Sequence, residues 1–141
     1  MRRIDYDQTG SLTSRHGALG VRARVATTFR DRLVGLIGQR EVEPLSLLVF
    51  PNCTSIHMFW MRVPIDVAWL SEPDASGTCR IVREDHALAP GRVSFGPRLA
   101  WGCAEMRAGS LAELEAGALT VPALARFARK GEGQATQGGA S

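Results

Sequence analysis

What is scarce in this chain closes off several classes of protein before any motif is read. Its 141 residues include three cysteines, Cys53, Cys79 and Cys103. That odd count at unpatterned spacing argues against a disulfide framework. No run approaches the roughly 18–20 consecutive apolar residues of a spanning helix, and Leu45–Phe50 has only the length of a buried strand. Arg2 and Arg3 are followed by no apolar segment, so no signal peptide is read at the N-terminus and a cytoplasmic location is expected. Lysine is almost missing, with Lys130 the single Lys among 17 basic residues. A block of one charge is missing too: the net charge of +3 is dispersed among 14 acids. Without a zinc-finger, helix-turn-helix or RNA-stacking pattern, no nucleic-acid partner is expected.

What remains is an ordinary globular balance, 45% hydrophobic and 22% charged, in a chain long enough to bury one core without metals or disulfides. Residues 1–19 carry Gly10-Ser11, Ser14 and Gly17 and read as a flexible arm. Residues 20–130 read as a single domain, and 131–141 as a disordered low-complexity tail. Val21, Ala23 and Val25 alternate with arginines in the period of a half-buried strand. A helix is expected next, with Thr28 as cap, Phe29, Leu33, Leu36 and Ile37 on one face, and Gly38 at its end. Leu45–Phe50, Thr54–Met61 and Ile65–Leu70 read as strands, and Cys79–Arg83 returns antiparallel after the turn at Glu72–Gly77. Ser110-Leu111-Ala112-Glu113 forms a capping box that starts a short helix, and Val121–Arg129 is expected to close the chain as another. The fold class expected is mainly β (α+β), a single compact antiparallel β-sandwich or barrel with one or two short helices.

Three blocks now carry a resemblance. They are Phe29-Arg30-Asp31-Arg32-Leu33-Val34-Gly35-Leu36-Ile37-Gly38, the run from Leu48 through Phe59-Trp60-Met61-Arg62-Val63-Pro64-Ile65-Asp66-Val67, and Ala104-Glu105-Met106-Arg107-Ala108-Gly109-Ser110. With them the chain resembles the domain of unknown function 192 family (DUF 192, also UPF 0127), the second block being the specific one. The resemblance implies a jelly-roll-like, mainly β domain and no known activity. The chain departs from the family pattern in lacking an export signal, and in having Gly117-Ala118-Leu119-Thr120 where an acid is common.

The polar residues of these blocks define the candidates. Taken as a regular strand, Cys53–Met61 would set Cys53, Ser55, His57, Phe59 and Met61 on one face. A thiol, an imidazole and a thioether suit soft copper, or zinc with Cys103. Residues four apart on a strand nevertheless stand ~13 Å apart, too far to share one metal. Cys53 and His57 as nucleophile and base meet the same obstacle. Asp66 and Glu105 lie inside apolar strands, where a carboxylate must be paired, hydrogen-bonded or protonated. Asp66 is expected to accept amides of the Arg62–Pro64 bend or to pair with Arg62 or Arg107. The leading expectation is a non-enzymatic module binding a small ligand or protein partner through Ser55, His57, Met61, Asp66 and Glu105, with no cofactor and no metal. One alternative is a hydrolase or transferase using Asp66 and Glu105 with His57. The other is a soft-metal binding protein.

Overall fold

A computed structural model describes residues 3–28, 31 and 35–129. Among these residues nine strands run in chain order: β1 (Gln8–Ser14), β2 (Gly17–Val25), β3 (Ser46–Phe50), β4 (Ser55–His57), β5 (Ile65–Leu70), β6 (Thr78–Leu88), β7 (Val93–Phe95), β8 (Gly102–Arg107) and β9 (Ala118–Thr120). A one-turn helix α1 (Ser110–Leu114) precedes β9, and a 3-10 helix (Pro122–Phe127) follows it. Seven strands close into a barrel in the order β1-β2-β3-β8-β5-β6-β9, with β9 returning to β1, while β4 and β7 pair separately outside it. No helix among the described residues is long and apolar enough to cross a membrane.

The open choice between sandwich and barrel thus resolves to a closed barrel. Not every pair is antiparallel. β2 and β3 run parallel, Arg22 opposite Ser46 through Val25 opposite Val49. A parallel pair cannot be joined by a tight turn, and residues 26–45 provide the crossover.

The flexible arm expected over residues 1–19 also needs correction, because Gln8–Ser14 is β1 and pairs on both sides, with β2 and with β9. Of the glycines that suggested mobility, one serves close packing and another a turn. A Cβ at Gly10 would lie 2.5 Å from the Thr120 carbonyl oxygen of β9, and Gly17 (φ +117°) makes the β1–β2 turn. Residues 131–141, read as a tail, lie outside the described residues.

Two cores share the central strands. Leu12, Val21, Leu47, Val49, Leu70, Met106, Leu119 and Leu124 fill the barrel. Leu48, Phe50, Val67, Trp69 and Cys103 point outward from β3, β5 and β8 into a second core completed by Leu36, Val42, Met58 and Met61. With both faces covered, β3 and β5 are buried at every position. That is why they read as continuous apolar runs rather than alternating ones.

The expected helix after Thr28 falls mainly outside the described residues, Phe29 and Leu33 included. Within them, Thr28 Oγ1 accepts the Asp31 amide at 3.0 Å, the bond of an N-cap, and Gly38 is left-handed at φ +80°. The Ser110 capping box does not form. Gly109 occupies the cap position of α1 with no side-chain cap bond, and the Leu111 amide is instead satisfied by Asp66 Oδ2 at 2.9 Å. The expected terminal helix is the shorter 3-10 turn, with Pro122 at its start.

The turn from β5 to β6 shows how closely the barrel end is packed. Asp74 Oδ1 accepts the Ser76 and Thr78 amides, and these bonds, with the Ser76 hydroxyl first, hold its carboxyl below the usual range. Gly77 follows at φ +83°, and a Cβ there would stand 2.2 Å from the Val121 carbonyl oxygen. Gly77→Ala is therefore expected to cost more than about 2 kcal/mol, from combined strain and displacement of Val121. Urea unfolding checks this: the midpoint should fall clearly, and an unchanged midpoint would show that the β9 end can shift at little cost.

Candidate functional site

Asp66 and Glu105 stand on adjacent strands but on opposite faces of the sheet. Asp66 lies opposite Met106, and Glu105 opposite Val67 and Leu48. Met106 belongs to the barrel interior, whereas Val67 and Leu48 belong to the outer core. Paired-carboxylate chemistry needs both groups to converge on one reacting atom, so the hydrolase or transferase alternative built on Asp66 and Glu105 with His57 is overturned.

Each carboxylate meets a different fate. Asp66 is fully buried, and its oxygens accept the Ala87 amide at 2.8 Å and the Leu111 amide at 2.9 Å. It accepts backbone amides as expected, but from β6 and α1 rather than from the Arg62–Pro64 bend, and it pairs with neither Arg62 nor Arg107. Asp66 thereby joins β5 to β6 and supplies the missing cap of α1. Glu105 is 8% exposed, and its Oε2 has no hydrogen-bond partner among the described residues. Burial first, and then the nearby Cys53, push its carboxyl from 4.5 up to about 8. Near neutral pH Glu105 is therefore mainly a protonated acid in an apolar wall.

That wall borders a half-open cavity of about 90 Å³ lined by Glu105 with Gly35, Leu36, Ile37, Phe50, Cys53, Ser55, Ile56, His57 and Met61. Four of the five candidates named from the sequence, Ser55, His57, Met61 and Glu105, thus border one cavity, and Asp66 does not. The regular strand assumed for Cys53–Met61 is not what gathers them. Only Ser55–His57 is strand. The chain then turns, the Met61 amide donating to the Met58 carbonyl at 3.2 Å, with Trp60 left-handed at φ +63°. The turn carries Met61 back into the wall, so the ~13 Å spacing of an extended strand does not apply to His57 and Met61. Phe50 and the Gly35–Ile37 segment are not among the site residues expected from the sequence. Strand parity could have found Phe50, which shares a face of β3 with Leu48, the partner of Glu105.

Beside the cavity the same turn pushes rings outward. The His57 imidazole stacks on Phe59 with centroids 5.1 Å apart, and Trp60 meets His57 edge-on at 6.3 Å. Trp60 is 77% exposed. Across the β4–β7 pair, Val93 faces His57 and Phe95 faces Ser55, and both are also exposed. The cysteine thiol of the wall, Cys53 Sγ, donates to the Ser55 carbonyl at 3.1 Å. Among the described residues no three His, Cys, Asp or Glu side chains gather in a metal-holding group. Three wider clefts of about 430–500 Å³ lie elsewhere. One holds Arg24 ion-paired to Asp31 at 2.9 Å, and among the described residues none contains a buried polar side chain left unpartnered.

The protein is a closed seven-stranded barrel carrying an outer pocket into which one buried carboxyl, that of Glu105, is set. Residues 11–118 match the DUF192 family, described as "Uncharacterized ACR", and the chain belongs to that family. No curated protein matches the chain. Two crystal structures share its fold. A protein of unknown function from Novosphingobium aromaticivorans DSM 12444 is 16% identical, with a TM-score of 0.64, 79% of this chain and 82% of that one being covered. A protein from Sinorhizobium meliloti 1021 described as a "putative transcription regulator" is 18% identical, with a TM-score of 0.69 over 85% of this chain and 98% of that one.

Proposed function

We propose that this protein is a non-enzymatic binding module, and that a small ligand group enters the cavity beside β8 to hydrogen-bond Glu105. The observation that carries the reading is the buried, unpartnered Oε2 of Glu105 in the cavity wall. A buried polar atom left unsatisfied costs ~1–3 kcal/mol, and such atoms are rare enough to require a reason. An apolar side chain between Phe50 and Met61 would serve the second core better. A ligand group that satisfies the carboxyl on arrival accounts for its retention, since stability is commonly given up where a site needs it. A cavity of about 90 Å³ has the liquid volume of roughly three waters, so only the tip of a ligand fits, with the rest lying against Phe59, Trp60 and Phe95.

A fragment titration followed by backbone amide shifts tests this reading. Fragments of about four to six heavy atoms that bind should move the amides of Cys53–Met61 and Glu105, and Glu105→Leu should abolish those shifts while keeping the folded spectrum. If no fragment of any chemistry moves them, the pocket is a packing defect and the proposal fails.

A further inference from the structure

We infer that the group received by this pocket is a small protonated amine, a primary ammonium carried on a short apolar stem; this rests on the binding reading above. The chemistry of the wall selects it. Among the described residues its lining includes no arginine or lysine, so once Glu105 is ionised a carboxylate or phosphate would meet like charge without a counter-charge there. An ammonium brings three donors and no acceptor, which complements a carboxyl oxygen that lacks any donor. Leu36, Phe50, Ile56 and Met61 suit the first methylenes of the stem.

The rings outside the cavity fit the same ligand. Cations are drawn to the faces of Trp and Phe, and Phe59 and Trp60 stand exposed next to His57, which is common to the ring cluster and the cavity. Trp60 holds its exposed indole there on a left-handed backbone, a conformation that bulky residues rarely adopt. Local preference does not place that ring; the turn that carries Met61 inward does.

The amine also sets a direction with pH. Glu105 must ionise to pair with an ammonium, and it does so near pH 8, while an alkylamine stays protonated to about pH 10, as lysine does. Among the described residues Cys53 and His57 are the other titratable groups lining the cavity. Affinity is therefore expected to rise as pH increases from 6.5 to 8.5.

The test is a titration of the full chain with n-butylamine, n-butanol and butyrate at pH 6.5 and 8.5, read by amide shifts. Butylamine should bind at least 10-fold more tightly than butanol at pH 8.5, its affinity rising on the order of 10-fold between the two pH values. Glu105→Gln should remove both the preference and the rise, and Trp60→Ala should weaken butylamine a few-fold with the pH dependence intact. If Glu105→Gln does not fold, the comparison of probes on the wild type decides. Butanol or butyrate binding as well as butylamine would overturn the amine inference and leave the binding reading standing. Saturable shifts with Cu(I) or zinc but not with butylamine would likewise overturn it. No shift with any probe, alongside an empty fragment screen, would remove both.

Discussion

Asp66→Ala is expected to destabilise the protein by about 3–5 kcal/mol, the largest loss from any single polar residue described. Its carboxylate is fully buried and accepts two backbone amides, from Ala87 of β6 and Leu111 of α1. Hydrogen bonds to a charged group contribute ~1.5–3 kcal/mol each, and removing the acceptor leaves two amides without a partner. The loss spans three elements, because Asp66 on β5 is the cap that α1 lacks from its own sequence. Asp66→Asn keeps one acceptor but turns an N–H toward the second amide, so it should recover less than half. Urea unfolding reads the difference. A drop in midpoint at unchanged slope is expected for Asp66→Ala, and a loss below ~1 kcal/mol would show that the two amides find other acceptors.

Glu105→Gln is expected to act in the opposite direction. Burial raises the Glu105 carboxyl from 4.5 to about 8, so the folded protein binds the proton more tightly than the unfolded chain does. The resulting stability is fully present below pH 4.5. It declines as the unfolded chain ionises above that value, and is lost once pH passes 8. A difference of this size corresponds to a few kcal/mol. Glu105→Gln removes the titration, so wild type and variant should be nearly equal at pH 4.5 and the variant more stable by ~2–4 kcal/mol at pH 9. For a chain of this length that means roughly 5–15 °C in thermal midpoint. A variant less stable than wild type at both pH values would mean that Glu105 is a satisfied structural group.

The two carboxylates also show how much was legible in the sequence. Their burial was visible, since each interrupts an apolar strand. Which face each would take was only half visible. Parity along β5 separates Asp66 from Ile65, Val67 and Trp69, but its relation to Glu105 depends on the β5–β8 register, which no local pattern encodes. Central strands were readable because burial on both faces leaves long apolar runs. β1 was not, because its partners are the neighbouring β2 and the distant β9, and its glycines resemble those of an arm. The Phe59–Asp66 block leads to the neighbourhood of the pocket, but not through the strand geometry expected of it. A strand was assumed, whereas a turn at Met58–Met61 brings His57 and Met61 to one cavity and exposes Trp60.

In the binding reading proposed above, Glu105 carries a buried Oε2 without a partner among the described residues, which a ligand group satisfies. Carbon-13 NMR of the carboxyl of Glu105, assigned by its disappearance in Glu105→Gln, measures this directly. A titration midpoint near 8 is expected, moving downward when butylamine is added, because a bound cation favours the ionised form. A midpoint in the ordinary range near 4.5, unmoved by the amine, would contradict it.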